Sequence, residues 1–439
     1  MTTTRKSYAI LDTKLDVLKE LIEEREQNKE RENYYAYASM YDIVKNFVIK
    51  KKLITYGGSA LNELLPNKNK FYGEFDLPDF DCFSINAKRD AIQLSHILRD
   101  NEYNFVEVKA GIHEGTYKVY AEFKVVADIT NVSNVFFEYM LKQSKNNNKE
   151  YQSYKNLTIV PIVFLKWSFY KELSRPEGSM HRWEKLFSRY LTFTKNYKTE
   201  GVYKIKDLVT VKYENDMADI IYSIQQLAKT RNYPLIGNFA LGLHLGKNKE
   251  YKLECCKNDE YFSTFEFLST NPDTMLNDII NNLDLPIGHK LIIQKRNSNR
   301  RFLGEVMPYR IRGYIQLPNN SKYSLFTIFS TSDSCYSVVD IEGYRVGTVD
   351  TLLTFFYGYL MIYDCFVDKL IKKSRTDVII SYIALLENHA NNIVDSKKRF
   401  STVCYGDEKT LFDIRKEQWD QKGFLYRPTP KKSTRKQIV

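Results

Sequence analysis

Apolar residues recur at helical spacing through residues 12–50. Leu15, Leu18, Leu21 and Ile22 form one stripe, and Ile43, Val44, Phe47 and Val48 form a second, so this stretch is predicted to be helical. The polar turn "IKKKL" leads into a strand-like run, Leu53 to Tyr56, that stops at Gly57-Gly58, and a helical pattern restarts at Ser59. Downstream, "DFDCF" (79–83) and "AEFKVVADI" (121–129) read as strands, with the helical segment "AKRDAIQLSHILRD" (87–100) between them. "KQSKNNNKE" (142–150) is polar and aperiodic and reads as a loop. "TIVPIVFLKWSFYKEL" (158–173) follows as a buried helix with a proline near its start. Strands and helices mixed in this way indicate an α+β fold.

The pattern also resembles itself. "YGGSALNELL" at 56 matches "IGNFALGLHL" at 236, an offset of 180. "DFDCFSIN" at 79 matches "TFEFLSTN" at 264, an offset of 185. "TIVPIVFLKW" at 158 echoes "TVDTLLTFFY" at 348, an offset of 190. Three matches in order predict a duplicated unit.

Composition narrows the function classes. The chain has 439 residues, enough for two or three domains. Its 43% hydrophobic content can build a core, which excludes a disordered chain. A net charge of +11 points to a polyanionic partner, nucleic acid before membrane. The six cysteines (82, 255, 256, 335, 365 and 404) contain no CxxC spacing, so a reducing compartment and no structural zinc are expected. "MTTTRKSYAIL" lacks the apolar run of a signal peptide. The most apolar window, "TLLTFFYGYLMIY" (351–363), is bounded by Asp350 and Asp364. It is shorter than the roughly 20 residues of a membrane span and reads as a buried helix.

The chemistry lies in the first copy. Residues two apart in a strand share a face, so Asp79 and Asp81 project together. Two carboxylates on one face repel unless a cation sits between them, and magnesium suits oxygen ligands. Asp128 ends the valine-rich run "VVADI", where a buried charge needs a metal or a partner. Three such carboxylates can hold two ions about 3.5–4 Å apart, the arrangement for in-line phosphoryl displacement. Gly57 and Gly58 let backbone N–H groups approach phosphate, and the following helix turns its N-terminus to negative charge. Asp76 is a rival for Asp79, but only Asp79 and Asp81 have strand spacing.

The ordered set "YGGSA…DFDCF…VVADI" resembles the polymerase β-like nucleotidyltransferase superfamily. "IKKKLITYGGSAL", "LPDFDCFS", "YKNLTIV" and "FYKELSRPEGSMHRWEKLFSRY" resemble, more narrowly, the poly(A) polymerase catalytic subunits of large cytoplasmic DNA viruses. The likeness covers roughly residues 40–190. One departure is the longer gap between the glycines and the aspartates, which holds "NKNKFYGEFDL".

The resemblance implies a polymerase β-like nucleotidyltransferase domain followed by a second, degenerate one, with N-terminal helices. Its expected boundaries are an N-terminal helical region at 1–52, a catalytic domain at 53–195, a degenerate domain at 196–395 and a C-terminal extension with a basic tail at 396–439. It implies a template-independent adenylyltransferase that adds AMP from ATP to an mRNA 3′ end, using two Mg²⁺ or Mn²⁺ ions. It further implies a homodimer or a processivity subunit, no membrane partner, and a site of action in the infected host cytoplasm or the virion.

Carried over by residue, Asp79 and Asp81 hold both ions and Asp128 the one that activates the 3′-hydroxyl. Gly57, Gly58 and Ser59 touch the triphosphate, and Lys166, Arg182 and Lys185 neutralise the leaving pyrophosphate. In the second copy Asn238 replaces the second glycine and Thr264 the first aspartate, leaving only Glu266, which cannot cage two ions. That copy is expected to be structural or RNA-binding, with the basic turn at Lys295, Arg296, Arg300 and Arg301 touching RNA phosphates. The competing readings are a nucleotidyltransferase acting on tRNA ends or a small acceptor, and a non-catalytic RNA-binding partner.

Overall fold

In a computed structural model the described residues are 2–147, 156–202, 215–246, 256–257, 263–296, 306–332, 334–366, 369–393, 399–407, 409–420 and 423–429. Among them the strands are, in chain order, β1 (Ile54–Thr55), β2 (Phe80–Ser84), β3 (Glu107–Ala110), β4 (Thr116–Ala121), β5 (Lys124–Asn131), β6 (Thr158–Ile159), β7 (Leu235–Ile236) and β8 (Cys256–Lys257). They continue with β9 (Phe265–Ser269), β10 (Lys290–Arg296), β11 (Arg310–Gln316), β12 (Lys322–Ser330), β13 (Tyr336–Ile341), β14 (Tyr344–Gly347), β15 (Cys404–Tyr405) and β16 (Leu425–Tyr426). The chain divides into two compact units: 1–132 with 140–160 and 423–439, and 133–139 with 161–422.

The first unit holds a mixed sheet in the order β16-β3-β4-β5-β2-β1-β6. The amphipathic helix Ala87–Asp100 covers it, burying Ala91, Leu94 and Leu98 against Val108, Val119 and Ile129. The N-terminal helix runs unbroken from Thr2 to Lys51. Its second apolar stripe joins this core through Val44, Phe47 and Val48, whereas Leu15, Leu18, Leu21 and Ile22 of the first stripe are exposed. The two-residue strand β16 pairs with β3, so part of the expected C-terminal extension is an edge of the first sheet. Tyr426 hydroxyl and the His96 ring hold it at 2.7 Å.

The second unit's sheet runs β10-β11-β12-β9-β7-β14-β13-β15, with β8 on β12. The run β3-β4-β5-β2-β1-β6 recurs there as β10-β11-β12-β9-β7-β14, with each pair keeping its parallel or antiparallel sense. Even the register shift in β4 between Val119 and Tyr120 recurs in β11 between Gly313 and Tyr314. Thr55 faces Cys82 as Leu235 faces Phe267, which matches the offsets of 180 and 185. The third echo is corrected: Ile159 beside Thr55 corresponds to Val346 beside Leu235, an offset of 187 rather than 190. The helix Asn134–Asn147 between β5 and β6, where the second copy has β13 between β12 and β14, and the apolar composition of both following helices blur that alignment in sequence.

Other readings are corrected as well. Residues 142–147, read as loop, continue the helix Asn134–Asn147, because Ser144 is buried and donates to the Met140 carbonyl. "AEFKVVADI" is not one strand. Glu122 and Phe123 take φ of 49° and 62° and form the tight hairpin turn between β4 and β5, a geometry that requires left-handed backbone at both positions. Residues 161–195, expected with the catalytic domain, group with the second unit. There Lys166 and Tyr170 of the helix Ile162–Leu173 meet Glu387 of the helix Lys369–Asn392 (3.3 and 2.8 Å), and Tyr357 donates to the same carboxylate at 2.7 Å. Cys335 and Cys404 meet where β13 pairs with β15, their Cα atoms 5.6 Å apart, a separation that suits a disulfide. Among the described residues, no helix is long and apolar enough to cross a membrane.

Candidate active site

Strand β1 is buried and short, and it ends at Tyr56 in extended conformation, with its N–H bonded to the Asp81 carbonyl (2.9 Å). Gly57 then turns the chain through φ +67° into the helix Gly57–Leu64. A Cβ on Gly57 would stand 2.9 Å from Asp81 Cγ and 3.1 Å from its Cβ. Glycine is therefore required twice, by the backbone angle and by the close approach of the carboxylate. Gly58 and Ser59 lie in the first helical turn. The Ser59 hydroxyl is buried and donates to the Asp79 carbonyl at 2.9 Å. It thus ties the helix to the start of β2, a positioning contact.

Strand β2 runs parallel to β5, and Asp81 sits directly opposite Asp128. Carboxylate oxygens of Asp79, Asp81 and Asp128 lie within 4.8 Å of one another. Asp76 stands apart from this group, accepting the Gly73 N–H at 2.8 Å in an exposed turn. The two oxygens of Asp128 differ. Oδ2 accepts from the Lys118 ammonium, which stands opposite Asp128 on β4, while Oδ1 is buried with no hydrogen-bond partner. Burial pushes the Asp128 carboxyl above the ordinary range, Lys118 draws it back, and Asp79 adds to the rise. Burial works against the Lys118 charge, but Asp128 outweighs it and holds the ammonium above the usual lysine range.

Lys118 was not found from sequence. The only signal is positional: a lysine ten residues before Asp128, which becomes its cross-strand neighbour once the 122–123 turn is recognised.

The other sequence-predicted cations fall elsewhere. Lys166 is buried, with its ammonium bonded to Thr199 and Glu387 inside the second unit. It is corrected from a phosphate-facing group to the partner of a buried carboxylate. Arg182 is exposed and pairs with Glu172 (3.6 Å), and Lys185 is exposed. Lys295 is exposed and pairs with Asp273. The Arg296 side chain, Arg300 and Arg301 lie outside the described residues.

The second copy repeats the frame without the chemistry. Gly237 takes φ +68°, and a Cβ there would stand 2.7 Å from Glu266 Cδ, so Glu266 occupies the Asp81 position. Thr327 stands where Asp128 does, opposite Glu266 on the parallel neighbour. Arg312 stands where Lys118 does, opposite Thr327. Its fully buried guanidinium donates to Tyr314 (2.9 Å), Ser324 (3.1 Å) and Thr327 (3.3 Å). Burial lifts Glu266 to about 7, against the pull of Tyr359, Ser263 and two arginines. Arg312 thus binds neighbouring hydroxyls where Lys118 binds a carboxylate.

Residues 42–179, which carry the triad, match the family model described as "Poly(A) polymerase catalytic subunit". A putative poly(A) polymerase catalytic subunit of African swine fever virus is 33% identical over 178 residues, covering 40% of this chain and 35% of that protein. The mimivirus counterpart is 26% identical over 210 residues, covering 47% of this chain and 34% of its own length. The match therefore spans about a third of these relatives. The crystal structure titled "Megavirus polyadenylate synthase" superposes with a TM-score of 0.70 over 94% of this chain and 84% of that one, at 18% identity. That likeness establishes the fold, and the resemblance to poly(A) polymerase catalytic subunits holds over residues 42–179.

Proposed function

We propose that the chain is a template-independent polynucleotide adenylyltransferase that adds AMP from ATP to an RNA 3′ end and releases pyrophosphate. The observation that carries this reading is the Asp79–Asp81–Asp128 cluster beside the Gly57 turn, with Asp128 Oδ1 buried and unpartnered. A buried carboxylate oxygen without a donor is costly, and a cation satisfies it. The donor set, three carboxylates, suits Mg²⁺ or Mn²⁺. Asp79 and Asp81 would hold two such ions, and Asp128 the one at the attacking hydroxyl. When bound, these ions supply an activated 3′-oxygen and neutralise charge on the transferring phosphate.

The chain's own residues do the rest. Lys118 occupies Asp128 Oδ2 and so leaves Oδ1 as the unpartnered oxygen. Ser59 fixes the Asp79 backbone, and the N–H groups of the Gly57–Ser59 turn would meet the triphosphate. Arg182 and Lys185 remain the cations proposed for pyrophosphate, on motif resemblance alone. ATP as the nucleotide is likewise taken from the resemblance. The second unit, with Thr327 and Arg312 in place of Asp128 and Lys118, acts as a structural copy without its own transfer chemistry.

The test is extension of a labelled RNA primer with each of the four NTPs and Mg²⁺. ATP-dependent tailing supports the reading. Transfer only to tRNA or to a small acceptor, or RNA binding without transfer, would replace it with one of the alternatives.

A further inference from the structure

Phe105 and Phe123 are stacked on each other, with ring centroids 4.0 Å apart, and are 60% and 75% exposed. Both take left-handed backbone, φ 51° and 62°. Bulky side chains are poorly suited to that region, where Asn is enriched and Gly is unstrained. The fold therefore gains little burial and no turn preference from these two residues, and exposed aromatic rings at strained positions point to a ligand contact. Cations also lie over other rings of the first unit. Lys124, next to Phe123, sits 4.9 Å over Tyr37, while Phe75 packs at 6.3 Å on Tyr35 (76% exposed) and carries Arg31 at 5.2 Å. The neighbouring Glu122 carboxylate accepts the Asn104 N–H at 2.6 Å in an exposed contact beside the pair.

Two of these residues lie close to the triad along the chain. Phe75 lies four residues before Asp79. Lys124 lies four residues before Asp128 on β5, about 13 Å along a strand. That is the span of about four stacked nucleotides at roughly 3.4 Å each. Tyr41, one helical turn beyond Tyr37, donates to the Val125 carbonyl at 3.4 Å and ties the helix to the start of β5.

Building on the proposed adenylyltransferase reading, we infer that Phe105 and Phe123 form a base-stacking platform, with Lys124 contacting phosphate, for the single-stranded RNA segment just upstream of the reacting 3′ end. Every base has a π-face, so such a platform is sequence-tolerant, as a growing homopolymer tail requires.

The experiment compares full-length wild type with Phe105→Ala/Phe123→Ala, measuring the Kd of a fluorescent oligoadenylate by anisotropy across a salt series. A loss of affinity of about ten- to hundredfold is expected. The log–log salt slope should be unchanged, because stacking releases no counterions. Lys124→Gln should instead flatten that slope by about 0.7. Phe123→Trp should restore binding, KM for ATP should stay as in wild type, and Phe123→Asn should bind weakly while melting no lower than wild type. Unchanged oligoadenylate affinity in the double alanine variant would overturn the platform. So would altered self-association at unchanged RNA affinity, which would make the pair a contact between copies. If wild type neither binds nor extends RNA, the functional reading fails; if it tails RNA and the double variant binds normally, only the platform fails.

Discussion

Gly57→Ala isolates the geometry of the candidate site, and the duplication supplies its control. At φ +67° an alanine costs about 1–2 kcal/mol in backbone strain. Its Cβ would also stand 2.9 Å from Asp81 Cγ, where ordinary contact begins near 3.4 Å, so the carboxylate must move by half an ångström or more. A displacement of about 1 Å at a reacting site costs on the order of 10²-fold in rate. Gly237→Ala carries the same backbone strain at φ +68° and meets Glu266 Cδ at 2.7 Å, but disturbs no triad. Both variants should therefore lose about 1–2 kcal/mol, a fall in melting temperature of roughly 2–8 °C. Only Gly57→Ala should lose about a hundredfold in RNA extension below its melting transition. Extension by folded Gly57→Ala within threefold of wild type would refute the reasoning, as would an equal loss in Gly237→Ala.

Other outcomes follow from the same contacts. Lys118→Met should weaken Mn²⁺ binding, read by electron paramagnetic resonance without substrate, by about 10–100-fold, with Lys118→Arg partly restoring it; undiminished binding in Lys118→Met would remove its positioning role. Lys166→Met leaves Glu387 buried without its cation and should cost about 3–5 kcal/mol in a denaturant melt, whereas a raised KM for ATP at unchanged stability would return Lys166 to the phosphates. Glu266 is raised in the fold from 4.5 to about 7, so it binds its proton more tightly there than in the unfolded chain. Its contribution, about 3 kcal/mol, is full below pH 4.5 and is lost as pH rises through about 7. Glu266→Gln should accordingly flatten the decline in melting temperature between pH 5 and 8, and an unaltered decline would show that burial of Glu266 is not its cause.

The triad was legible because strand spacing alone puts Asp79 and Asp81 on one face, and because a lone aspartate among valines needs a partner. The duplication was legible where small residues are obligatory: Gly57 and Gly237 are fixed by matching positive φ and matching carboxylates. It slipped by three residues where two apolar helices offer no such marker. Lys118 and Arg312 were invisible because cross-strand neighbours depend on the hairpin register and on the shared irregularity in β4 and β11. Lys166 was misjudged because sequence shows a cation but not the carboxylate 221 residues away that buries it. The helix over 142–147 was missed because the buried contact of Ser144 with the Ile159 carbonyl is tertiary.

The central claim is that Asp79, Asp81 and Asp128 hold the ions that transfer AMP to RNA. Mn²⁺ titration in the presence of ATP, paired with primer extension, tests it directly on wild type and on Asp79→Asn/Asp81→Asn. The account predicts two ions per wild-type chain with ATP-dependent tailing, and neither in the variant, at unchanged RNA affinity. A folded variant that still lengthens the primer would contradict it.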